Sequence, residues 1–170
     1  MRWIAIPLLA ALSSALGSCS FVFDIRAEMI DGQLTFVPEG SWWTRPGCLF
    51  EISVEARGGP AAIPEPDDDA RDVERGTYWS QSVGREVCEN PFPIRYGQNL
   101  KGTPYRFAEG DEAGHVAPKP LKPGVIYFVF ALSPGSGSGG GYFRLDGRGG
   151  VENIAREAMA PQSVSTPSSL

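Results

Sequence analysis

The chain has 170 residues, 42% of them hydrophobic, with 21 Gly and 15 Pro, and carries a formal net charge of −5 from 15 Lys and Arg against 20 Asp and Glu. That length suits one domain with a real core. An acidic chain without a basic cluster excludes phosphate-backbone binding as its business, so no nucleic acid partner is expected, and it excludes electrostatic attachment to anionic lipid.

At the N-terminus a single Arg2 precedes the apolar run Trp3 to Leu12, after which the sequence turns small. Basic, apolar and small segments in that order form a secretory signal. The run is too short to span a bilayer, which takes about 20 apolar residues. It ends in Leu16-Gly17-Ser18-Cys19, which resembles the lipobox of bacterial lipoproteins. The resemblance implies that residues 1–18 are a lipoprotein signal peptide. Cleavage would leave Cys19 as the first residue, carrying diacylglycerol on its thiol and palmitate-type acylation, enough chains to hold the protein firmly. Ser20 after the cysteine implies, by the same resemblance, the outer membrane. The other course is ordinary cleavage after Gly17, guided by small Ala15 and Gly17, giving a soluble secreted protein with a lone thiol at Cys19. Cysteine arithmetic favours the lipid. Of 3 Cys, Cys48 and Cys88 then remain as an even pair, expected to form one disulfide in an oxidising compartment. Closing a loop of about 40 residues in this way contributes roughly 4 kcal/mol in the chain-entropy description.

Short alternating runs among many Gly and Pro predict an all-β domain over 19–160. Phe23, Ile25, Ala27 and Met29 alternate with Asp24, Arg26 and Glu28, a period of two. Asp31-Gly32 supplies a turn, and Gln33–Val37 reads as the returning strand. Cys48–Arg57 alternates again. Gly58–Ala70 is a Pro-rich, acidic loop. Thr77–Val83 and Val87–Tyr96 are weaker strand candidates, the second interrupted by Pro91 and Pro93 and so expected at an edge. Val125–Leu132 is apolar throughout, as for a strand buried on both faces, and Gly141–Asp146 is expected to pair with it across a Gly/Ser hairpin loop. The tail 161–170 is rich in Ser, Thr and Pro and is expected to be disordered.

Leu121-Lys122-Pro123-Gly124-Val125-Ile126-Tyr127 resembles the corner before strand F of fibronectin type III domains. There a tyrosine phenol reaches back to an upstream backbone group and fixes the corner of a sandwich. The resemblance implies that role for Tyr127, with Leu121 in the core, and an immunoglobulin-like or fibronectin-like antiparallel β-sandwich. The Trp usual on strand B of those domains has no counterpart; Trp42 and Trp43 lie before the cysteine strand instead.

Candidate chemistry is sparse. A hydrolase triad would need His115, the single His, and Gly135-Ser136-Gly137-Ser138-Gly139 has Gly where a nucleophile elbow needs Ser. The same Gly-rich stretch lacks the Lys of a phosphate loop and leads into a strand, not a helix. Glu65–Glu74 concentrates carboxylates without the spacing of a calcium loop. Two cysteines and one distant His fall short of a zinc site, so neither metal nor cofactor is expected. Trp42-Trp43 and Tyr78-Trp79 are adjacent pairs, whose members face opposite sides of a strand; either one of each pair is left to stack on a sugar or a partner, or packing and loops cover both, which is the plainer expectation. Pro118 to Pro123 reads as a stiff lead-in to the next strand rather than a polyproline ligand. The expectation is a lipid-anchored protein of the bacterial cell envelope acting as a non-catalytic binding or structural module. Its partners would be the membrane, through Cys19, and an envelope protein or glycan. The alternative is a periplasmic glycan-active hydrolase using surface carboxylates, which would show a pair of them converging in a cleft.

Overall fold

A computed structural model describes residues 21–40, 45–84, 88–105, 115–135 and 137–159. The domain is mostly β, built on a mixed, curled sheet. Its strands are β1 (Phe21–Ile30), β2 (Gln33–Pro38), β3 (Glu51–Ala56), β4 (Thr77–Ser82), β5 (Ile94–Arg95), β6 (Ile126–Ser133), β7 (Gly137–Leu145) and β8 (Val151–Ile154). A short helix α1 (Ala70–Glu74) precedes β4, and a 3-10 turn at Arg156–Met159 follows β8. The order across the sheet is β4-β3-β6-β7-β1-β2-β5, with β8 added to β7.

The alternation in β1 does what its period dictates. Phe23, Ile25 and Ala27 are buried, whereas Asp24 and Arg26 are exposed. Asp31 and Gly32 both take positive φ, 52° and 74°, which is the backbone a two-residue hairpin needs to match the twist of its strands. Residues Ile25–Ile30 pair antiparallel with β2, and Phe21–Asp24 pair parallel with Gly137–Gly140 of β7. That parallel pair makes the sheet mixed, a correction to the antiparallel expectation. Pro-interrupted 88–96 contributes only the two residues of β5, at the edge beyond β2.

The curl brings β2 over β4, β6 and β7. Phe36 of β2 meets Trp79 at 6.4 Å and Phe143 at 5.6 Å between ring centroids, and Tyr127 stacks on Phe143 at 5.6 Å. Around these rings lie Ile52, Val54, Val129 and Ile94, all fully buried. At about 25 cal/mol per Å² of apolar surface removed from water, this aromatic centre is the main stabilising mass of the fold.

The glycine tract departs most from expectation. Gly137, Gly139, Gly140 and Gly141 are not a hairpin loop but the first half of β7, bonded to β6 on one side and, through Gly140, to β1 on the other. Glycine ordinarily weakens a strand unless another group must approach closely, and here several do. A Cβ at Gly137 would overlap the ring of Phe21, one at Gly139 the ring of Phe23, and one at Gly141 the carbonyl of Ile25. β6 is also not buried on both faces. Tyr127, Val129 and Ala131 point into the core, while Phe128, Phe130 and Leu132 are half-buried on the outside.

Candidate functional site

The expected staple is present: Cys48, just before β3, is bonded to Cys88, after β4, with Cα atoms 5.4 Å apart across 40 residues of sequence. The phenol of Tyr127 accepts the backbone N–H of Lys122 at 2.8 Å, which ties the start of β6 to the segment leading into it. Leu121 packs half-buried against the core. Burial pushes the Tyr127 phenol up to about 12, with nearby Tyr78 adding to the effect against the Lys122 N–H. Cys19, Trp42 and Trp43 lie outside the described residues.

Tyr78 and Trp79 are both buried, at 1% and 0% exposure, which agrees with the covered reading and corrects the stacking role proposed for either ring. The reason is a register shift. Trp79 lies opposite Val54 and Thr77 opposite Glu55, which leaves Tyr78 as the extra residue of a bulge. A bulge interrupts strict alternation and re-aims a side chain. Tyr78 meets Tyr127 edge-on at 5.1 Å, and Trp79 meets Phe36 and Tyr96.

The acidic segment is structural. Asp69 caps α1 by accepting the N–H groups of Arg71 and Asp72. Asp68, with a side chain 1% exposed, is paired at 2.5 Å with the ammonium of Lys119, itself 4% exposed, and Glu65 reaches the same ammonium at 3.0 Å. Asp68 also accepts the N–H groups of Glu65 at 2.6 Å and Ala117 at 2.8 Å. Burial works to raise the Asp68 carboxyl, yet Lys119 and the two N–H groups outweigh it and hold the group below its ordinary value. For Lys119 burial works downward, and the two carboxylates prevail and raise it. The Pro118–Pro123 lead-in is therefore clamped through its lysine. Asp72 on α1 is pushed up, first by burial and then by Asp69.

A surface that sequence reading missed lies on the outside of the sheet. Strand register sets Tyr142 of β7 opposite Phe128, and Gly140 opposite Phe130. Phe128 and Phe130 stack with centroids 6.4 Å apart, and Phe128 meets Tyr142 at 4.7 Å, giving three half-buried rings in series. They stand outside the core cluster. A Cβ at Gly140 would fall 2.7 Å from the Phe128 ring, so the missing side chain is what lets that ring lie flat on β7. Arg57 places its guanidinium 4.9 Å over Phe128, held from the side by Glu55 at 3.5 Å. Farther along the same face Val22 is 67% exposed. The signal was present as alternate aromatics in 126–133, masked by equally apolar residues between them.

Where β1 leaves β7 to join β2, a notch of about 290 Å³ opens beside Tyr142, lined by Gly140, Gly141 and Glu157 among others. Arg156 closes one side, bonded to the Gly140 carbonyl at 3.0 Å and to Asp24 at 3.2 Å. Arg26 closes the other, bonded to Glu28 and lying 3.5 Å from Glu39. A second hollow, about 280 Å³, sits at the disulfide end among Phe21, Pro46, Cys48, Cys88 and Pro134. Asp68 and Asp72, the carboxyl groups with shifted proton affinity, line neither. Three or more metal-ligating side chains are nowhere grouped among the described residues, and no helix among them is long and apolar enough to cross a membrane.

No family model matches the chain, and neither a curated protein nor a solved structure does.

Proposed function

We propose that the chain is a lipid-anchored module of the bacterial envelope that binds an envelope component through the outer face of its sheet and performs no catalysis. The row Phe128, Phe130 and Tyr142 carries this reading. Aromatic side chains half out of water, apart from the core, are the kind of surface that stacks on a partner. The anchor rests on Leu16-Gly17-Ser18-Cys19 and on the disulfide, which leaves Cys19 as the odd cysteine. An immunoglobulin-like sandwich is the finer reading of the fold. Its support is the phenol–backbone bond of Tyr127 and the course of β1, which serves the β7 side first and the β2 side next.

Intact mass of the membrane-extracted protein tests the anchor. A chain starting at Cys19 plus acyl groups is expected, and an unlipidated chain starting elsewhere would overturn it. Sedimentation of the protein with delipidated envelope fragments tests the face. Exchanging Phe128 and Phe130 together for Ser should release the protein into the supernatant, and undiminished sedimentation of a folded double variant would refute the binding face.

A further inference from the structure

Taking the outer face as the binding surface, we propose that the notch beside Tyr142 is a subsite for a neutral saccharide. The chemistry of the notch selects this class. Its charges lean acidic: Arg156 pairs with Asp24, Arg26 with Glu28 and Glu39, and Glu157 lines the notch as well. Such a site disfavours a polyanion, and both of its cations are already held by carboxylates. What it does offer is a fan of planar hydrogen-bonding groups. Each of these side chains remains partly in water, with 63% of Asp24, 50% of Arg26, 49% of Arg156 and 48% of Glu39 exposed. Ion pairs this exposed contribute little, so they re-partner readily with ligand hydroxyl groups.

Beside the polar fan stands one aromatic ring, Tyr142, backed by Phe128 at 4.7 Å. A sugar has C–H bonds across its ring face and hydroxyl groups around its rim, and needs a ring and a polar fan side by side. Gly140 and Gly141 line the notch, and the Phe128 ring that covers Gly140 brings the aromatic row up to its edge. At about 290 Å³ the notch lies at the small end of ligand sites, which start near roughly 300 Å³. A longer glycan would continue from it along Phe128 and Phe130, the next rings in the row.

The test is calorimetric titration of the purified mature protein with three tetrasaccharides: β-1,4-linked N-acetylglucosamine, maltotetraose and tetragalacturonate. A neutral tetramer should bind, with an affinity unchanged by added salt. Tyr142→Ala should weaken it by about tenfold or more, and Asp24→Asn, an exposed change that leaves packing intact, should weaken it too. Thermal unfolding of each variant separates lost folding from lost binding. No binding of either neutral tetramer at millimolar concentration would overturn the saccharide subsite, as would salt-sensitive preference for the acidic one or full affinity in folded Tyr142→Ala. If envelope sedimentation still depends on Phe128 and Phe130 while neutral tetramers fail, the saccharide is refuted and the binding face stands, with a protein as its occupant.

Discussion

Replacing Lys119 by Met removes the cation from a pair that water barely reaches. The ammonium side chain is 4% exposed and the Asp68 side chain 1%, so the orphaned carboxylate would sit in a poorly solvating site. Breaking such a pair from one side costs about 3–5 kcal/mol. Asp68 keeps its two backbone N–H donors, from Glu65 and Ala117, which places the expected loss near the lower end, about 3 kcal/mol. Against a total stability of about 5–15 kcal/mol for a domain, that is a large share. Urea unfolding at neutral pH measures it. A second arm uses proton linkage. In the native protein Asp68 is held below its ordinary value, so its contribution is present above the usual Asp range and lost as pH falls through the lowered value. Without Lys119 the carboxyl loses its main lowering partner and rises from its native value, so protonation relieves the defect. The gap between Lys119→Met and the native protein should therefore shrink as pH falls from neutral toward about 4. A neutral-pH loss below about 1 kcal/mol, or a gap that stays constant in acid, would refute the account of this pair.

Two further outcomes follow from the packing. Gly139→Ala should force the Phe23 ring off β7, costing about 1–3 kcal/mol, and hydrogen exchange should show faster amides in Phe21–Asp24 while β6 stays protected. Equal protection in both proteins would count against the close fit. Tyr127→Phe leaves the Lys122 N–H without its acceptor, for a loss of about 1–2 kcal/mol by urea unfolding. Because the Tyr127 phenol is raised to about 12, its contribution is complete below the ordinary tyrosine value, about 10, and fades as pH rises toward 12. The variant should lose stability less steeply over that alkaline window, and an identical slope would show that the phenol is not the titrating group.

Much of the frame was legible because local chemistry and tertiary position agree. Phe23 to Ala27 alternates, although Met29, next in the period, is exposed; Asp31-Gly32 turns, and two of three cysteines pair. The parts that were not legible are those where a distant group reverses the local preference. Gly137 to Gly141 reads as a loop until Phe21, Phe23 and Phe128 are seen to fill the space that side chains would occupy. Tyr78-Trp79 leaves one ring out or both covered as alternatives, and only the bulge at Tyr78 explains how both reach the interior. Lys119, between two prolines, gives no local sign of its burial, which depends on Asp68 fifty-one positions earlier in the chain. The binding face failed for another reason: burial on both sides and burial on one look alike in an unbroken apolar run.

The split allegiance of β1 has a mechanical consequence. A pull applied on the N-terminal side of Phe21, along the strand, meets the parallel ladder to β7 and the antiparallel ladder to β2 together. Both are loaded sideways, so their hydrogen bonds must yield in concert rather than unzip singly. Phe21 and Phe23, seated over Gly137 and Gly139, would also have to be dragged across the backbone of β7. Resistance to such a pull is set by the unfolding rate, not by equilibrium stability. If the proposed anchor holds the domain at that end, a pull on it is met by both ladders of the first strand at once, as a bolt is held by its thread.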